Sequence, residues 1–116
     1  MTPDILAVAA KDGPGDSRIL VVAGEIDRDS RHHLRGAAER AIGEGHNRLV
    51  LDLAAVTFCD SSGLSLLVDI HRAVEAHDGW LRLVAATPVL RDMLRITNLH
   101  RLFTVHDTIE DAIADC

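Results

Sequence analysis

Asp60-Ser61-Ser62-Gly63 sets a carboxylate, two hydroxyls and a residue without a side chain in consecutive positions, between the apolar stretches "RLVLDLAAVTFC" and "LSLLVDIHRAV". Two kinds of chemistry suit that cluster. One is a helix N-cap: Asp60 or Ser61 accepts a hydrogen bond from a free N–H of the first turn, and Gly63 lets something pack closely against it. The other is phosphorylation. Backbone N–H groups and the helix dipole both favour an anion at a helix N-terminus, so a phosphate on a serine is tolerated there. Such a modification alters surface charge without breaking the core.

Competing chemistries lack partners. A hydrolytic serine needs a histidine held by a third group, and the cluster is not the G-x-S-x-G elbow of a hydrolase. Seven histidines suggest metal binding, yet His32 and His33 are adjacent, and His71 with Glu75 is one i, i+4 pair without a third ligand. We therefore expect no metal, no cofactor and no catalytic residue. "GPG" at 13–15 lies in a turn that leads into no helix, so it is not a phosphate cradle. Arg91, Arg95 and Arg101 form at most a small basic face, and Cys59 reads as a small buried hydrophobe.

The elements around the cluster must position it. Ile5–Ala10, the turn "KDGPGDS" and "RILVVAG" predict an antiparallel hairpin. Ser30 is placed to cap a helix whose inner face carries Leu34, Ala37, Ala38, Ala41 and Ile42, with Gly43 and Gly45 as its stop. "RLVLDL" (48–53) predicts a strand that leads through "AAVTFC" to the cluster. Leu64, Leu67, Val68 and Val74 then keep a period near 3.6, and Gly79 is placed to end that helix. "WLRLVAA" predicts a strand, and Thr87-Pro88 opens a helix with Val89, Leu90, Met93 and Leu94 as its buried stripe. "RLFTV" predicts the last strand, and "TIED" from Thr108 is a capping-box pattern for a short final helix. The order β-β-α-β-α-β-α-β-α predicts one α/β domain over 1–116: a small mixed sheet with packed helices.

Composition narrows the function. The chain has 116 residues, is 47 % hydrophobic and 26 % charged, and carries a net charge of −6 with one lysine, Lys11. That balance fits a single globular domain and argues against direct nucleic-acid binding, which needs clustered cations, and against an anionic membrane surface. No apolar run approaches the ~18–20 residues of a membrane span, so no membrane insertion is expected. "MTPDILAV" has no signal-peptide pattern, and Cys59 and Cys116 are too few for a disulfide framework. A cytoplasmic location follows as the expectation.

"LVLDLAAVTFCDSSGLSLLVDIHRAV" resembles the signature of STAS-domain proteins, in particular the bacterial anti-sigma factor antagonists. "VVAGEIDRDSRHHLRGAAERAI" resembles their second strand and first helix, and the likeness runs from about Ile5 to Ala112. It implies a STAS fold and a non-enzymatic switch in transcription regulation by partner switching. In that family the serine after the aspartate is phosphorylated by an anti-sigma factor that is also a serine kinase; here that serine is Ser61. Unmodified antagonist binds the kinase and frees the sigma factor, the phosphoprotein does not bind, and a serine phosphatase resets it. Asp60, Ser62 and Gly63 match the rest of the motif, and Asp27 of "GEID" matches an aspartate near the same surface. The implied partner-binding surface is Asp60–Gly63 with the Asp27–Ser30 loop. Cys59 and Ser65 depart from the bulkier apolar and smaller residues common there. The alternative within the family is an adaptor subunit of a membrane-lipid transport complex; a small esterase is the alternative outside it.

Overall fold

Side chains alternate across a strand, and here both faces of the strands are used. The computed structural model describes residues 6–115. The hairpin forms between β1 (Ala7–Asp12) and β2 (Ser17–Ile26). Lys11 and Asp12, expected in the turn, instead pair with Ile19 and Arg18, so β1 reaches further than its apolar run; Ile5 lies outside the described residues.

After β2 come α1 (Arg31–Gly43), β3 (Arg48–Cys59), α2 (Ser61–Glu75), β4 (Trp80–Val84) and α3 (Pro88–Ile96), then β5 (Thr104–His106) and α4 (Ile109–Ala112). The sheet order is β1-β2-β3-β4-β5, antiparallel between the first two strands and parallel from β2 onward. Leu49, Leu51 and Leu53 of β3 face a core shared with Leu34 of α1, Leu67 of α2 and Leu90 of α3. Val50, between them, turns to the other side, where α4 brings Ala112 against Ile19 and Val84.

β3 does not stop at Leu53. It pairs with β2 as far as Ile26↔Cys59, across register shifts between Val21 and Ala23 and between Gly24 and Glu25. Gly24, at φ 112°, takes the left-handed backbone conformation there. The irregularity ends β2 and β3 side by side, and the candidate site begins at that shared end.

The last strand is shorter than expected. Asn98 adopts φ 63°, a conformation its short polar side chain tolerates, and a 3-10 turn takes Leu99–Arg101. Only Thr104–His106 pair with β4, while Phe103 is buried in the core ahead of them. Val89, expected in the buried stripe of α3, is exposed, because Leu90 and Leu94 hold the inner face. Thr87 and Thr108 cap as expected, accepting from the N–H groups of Leu90 at 3.4 Å and Asp111 at 3.1 Å.

Gly79 is needed for a reason other than ending a helix. The left-handed residue after α2 is Asp78, at φ 59°. A Cβ on Gly79 would overlap the Asn47 carbonyl, which accepts from the Trp80 N–H at 3.0 Å. The glycine lets the chain pass Asn47 as it enters β4.

Candidate functional site

Asp60 leaves β3 with extended backbone, φ −95° and ψ −175°, and its carbonyl accepts from Leu64 N–H at 3.1 Å to start α2. Asp60, not Ser61, is the cap: its Oδ1 accepts from the Gly63 N–H at 3.0 Å and from the Ser62 hydroxyl at 2.6 Å. The two serines thereby separate. Ser62 donates its hydroxyl to a carboxylate, whereas Ser61 is exposed and its hydroxyl has no hydrogen-bond partner among the described residues. The Ser62 hydroxyl, above all, holds the Asp60 carboxyl below the usual carboxylate range. Partial burial opposes that shift, and the N–H groups of Gly63, Ser62 and Arg28 support it.

Gly63 is buried and faces inward. A Cβ there would stand 2.7 Å from Cys59 Sγ and 2.9 Å from both Ile26 Cγ2 and Ile26 O. The close approach foreseen at this glycine is therefore to the protein's own strand ends; it does not clear a path for a partner. Cys59 is 2 % exposed, and burial, with the Asp60 charge adding to it, pushes its thiol up to about 12. At neutral pH it is a packed thiol, not a nucleophile.

The loop after β2 is brought to the same end of the sheet. The Asp60 N–H donates to the Ile26 carbonyl at 3.1 Å, and the Arg28 N–H supports the Asp60 carboxylate. Asp27 shapes this loop: its Oδ1 accepts from the N–H groups of Asp29 at 3.0 Å and Ser30 at 2.9 Å. Ser30 occupies the N-cap position of α1 but makes no side-chain cap bond. Its buried hydroxyl turns back into the loop, 2.6 Å from the Glu25 carbonyl and 2.9 Å from Asp27 Oδ1. Sequence reasoning missed Arg31, whose guanidinium donates to the Ser62 carbonyl at 3.4 Å and so links α1 to the start of α2. A cation in the first turn of a helix opposes the dipole, and that was its one signal in the sequence.

The remaining candidates lie apart from this surface. His71 meets Glu75 at 3.2 Å, and among the described residues no three potential ligands gather. Arg91 reaches Asp107 at 3.3 Å and Arg95 pairs with Asp92, beside a hollow lined by His100 and Phe103. Among the described residues no helix is long and apolar enough to cross a membrane. Around Ser61 the arrangement offers an accessible hydroxyl to which no histidine is hydrogen-bonded among the described residues.

The family model described as STAS domain matches residues 8–112. The anti-sigma-F factor antagonist RsfB of Mycobacterium tuberculosis is 29 % identical over 111 residues, covering 96 % of this chain and 89 % of that protein. The crystal structure of an anti-sigma factor antagonist from Mycobacterium paratuberculosis superposes with a TM-score of 0.86 at 29 % identity, over 98 % of this chain and 96 % of that one. Unphosphorylated SpoIIAA, of Bacillus, shares the fold with a TM-score of 0.80 at 24 % identity, over 92 % of this chain and 93 % of that one.

Proposed function

The chain belongs to the STAS domain family, and from that premise we propose that it is an anti-sigma factor antagonist switched off by phosphorylation of Ser61. Its partner is an anti-sigma factor that is also a serine kinase; a serine phosphatase restores the active form. The names carried by its relatives support the regulatory role, and the freedom of the Ser61 hydroxyl beside the committed Ser62 hydroxyl is the observation that carries the residue assignment.

In the switch, Ser61 Oγ attacks the γ-phosphorus of ATP held by the partner. The new O–P bond forms as the bond to the β-phosphate oxygen breaks, ADP leaves, and the hydroxyl proton passes to a base on the partner. The domain contributes no catalytic group. It acts in the cytoplasm as one unit over 1–116, without a cofactor. The contact surface comprises Asp60, Ser61 and Ser62 with Asp27 and its loop, and Gly63 seats α2 beneath them. A phosphate adds about −1.5 to −2 charges next to the Asp60 carboxylate. Packed against a partner, that charge must be desolvated, at a cost of several kcal/mol.

The test uses an anti-sigma factor/serine kinase purified from the source organism, with ATP. One phosphate is expected by intact mass, absent in Ser61→Ala and present in Ser62→Ala. Since each 1.4 kcal/mol is about tenfold, kinase affinity of the phosphoprotein should fall by roughly a hundredfold or more. Phosphate mapped to Ser62, or undiminished binding by the phosphoprotein, overturns the proposal.

A further inference from the structure

Among the described residues, Arg31 alone brings a guanidinium to the first turn of α2, and that contact leaves most of the group unused. Its Nη1 donates to the Ser62 carbonyl at 3.4 Å, long for such a bond, and its remaining N–H groups have no partner among the described residues. The place is also unfavourable for a cation. Arg31 opens α1, whose first turn carries no acidic side chain, so the half-buried guanidinium sits by the positive end of the helix dipole.

The carboxylates at this end of the sheet are engaged elsewhere. Asp27 Oδ1 accepts from the N–H groups of Asp29 and Ser30, and Asp60 Oδ1 from Ser62 and Gly63. Neither forms an ion pair with Arg31. Ser61, exposed, directly precedes the residue whose carbonyl holds the guanidinium, and consecutive Cα atoms are about 3.8 Å apart.

We propose that Arg31 is the residue that receives the phosphate on Ser61: its guanidinium swings off the Ser62 carbonyl and binds two phosphate oxygens. A neutral acceptor is exchanged for a doubly charged one, and the guanidinium fork matches a phosphate bidentately. The inference rests on the antagonist reading and deepens it. The switch then has two parts, an anion gained at Ser61 and a cation withdrawn from the surface offered to the partner. α1 and α2, tied in the unmodified protein through the Ser62 carbonyl, are tied in the phosphoprotein through the phosphate.

Arg28 is the competing cation. Its N–H supports the Asp60 carboxylate, but its exposed side chain has no partner among the described residues, so nothing holds it beside Ser61. His32 and His33, next along α1, stack on each other with ring centroids 4.0 Å apart.

The experiment uses the whole chain with phosphoserine installed at Ser61 by ligation, so that no kinase is needed. Phosphorus NMR follows the second ionisation of the phosphate, ordinarily at about pH 6. In wild type it should lie about half a unit below its value in Arg31→Gln, roughly a threefold difference in acidity, as for a partly exposed ion pair. Arg31→Lys should recover part of the shift, because it keeps the charge and loses the fork. Arg28→Gln should match wild type. Independently of any variant, the side-chain nitrogen resonances of Arg31 should move between unmodified and phosphorylated wild type, while those of Arg28 stay. Equal ionisation in wild type and Arg31→Gln, or unmoved Arg31 resonances, overturns the assignment and leaves the antagonist reading standing. A shift lost in Arg28→Gln, and kept in Arg31→Gln, gives the phosphate to Arg28 and overturns it too. Wild type that a purified anti-sigma kinase phosphorylates at a residue other than Ser61 overturns both.

Discussion

Ser61 and Ser62 are chemically identical and adjacent, and hydrogen bonding makes them different. The Asp60 carboxylate accepts hydrogen bonds from the Ser62 hydroxyl at 2.6 Å and the Gly63 N–H at 3.0 Å, leaving the neighbouring hydroxyl unpartnered among the described residues. Ser62→Ala should cost about 0.5–1.5 kcal/mol in urea unfolding, the usual worth of one hydrogen bond, with the lower end favoured by solvent exposure. It should also move the Asp60 titration upward, since the Ser62 hydroxyl is the largest cause of its depression. The sign follows from linkage. A carboxyl depressed in the folded state stabilises above its unfolded pKa, and that contribution is lost as pH falls through the folded one. Below about pH 4, where unfolded carboxyls protonate, wild type should lose its advantage over Ser62→Ala. Carboxyl NMR titration showing Asp60 unmoved in the variant would refute this account of the cap.

At the scale of elements, the site is a junction of strand ends. β2 and β3 finish together at Ile26↔Cys59, and α2 starts flush against them because Gly63 has no side chain. Gly63→Ala places a methyl 2.9 Å from the Ile26 carbonyl oxygen and 2.7 Å from Cys59 Sγ. Overpacking of this kind costs about 1–3 kcal/mol, and guanidinium unfolding should show it. Cys59→Ala in the same chain should recover only part, because the Ile26 carbonyl is backbone and cannot move aside. Full recovery would locate the constraint in the thiol alone. Arg31 belongs to this scale as well, since its bond to the Ser62 carbonyl holds α1 to α2 across the site.

For the whole molecule, the question is whether a phosphate on Ser61 acts through the fold or through its surface. The aliphatic core lies between the sheet and α1, α2 and α3, and the exposed Ser61 is outside it. The α2 N-terminus offsets added negative charge by roughly 0.3–1 kcal/mol, and repulsion from Asp60 works against this. The two nearly cancel. Calorimetry of the phosphoprotein should place Tm within about 5 °C of the unmodified protein, as expected for a change near 1 kcal/mol. A much larger fall in Tm would mean that the switch unfolds the domain.

The sequence alone determined the element order, the hairpin, the aliphatic core and the place of the acid–hydroxyl cluster between a strand and a helix. Those features rest on local periodicity and turn chemistry, which neighbouring residues carry by themselves. Tertiary structure decided what depends on distant partners. β3 continues to Cys59 because β2 bulges beside it, and β5 begins late because only Thr104–His106 can reach β4. Gly79 is required by the Asn47 carbonyl, 32 positions earlier, and Ser30 gives up its cap to reach the Glu25 carbonyl. The same holds at the site. Four letters show two serines as equals, and Arg31 as one cation among many. Only the folded chain puts one hydroxyl on a carboxylate, frees the other and brings Arg31 to α2, because hydrogen-bond geometry is set by packing across the domain and not by order along the chain.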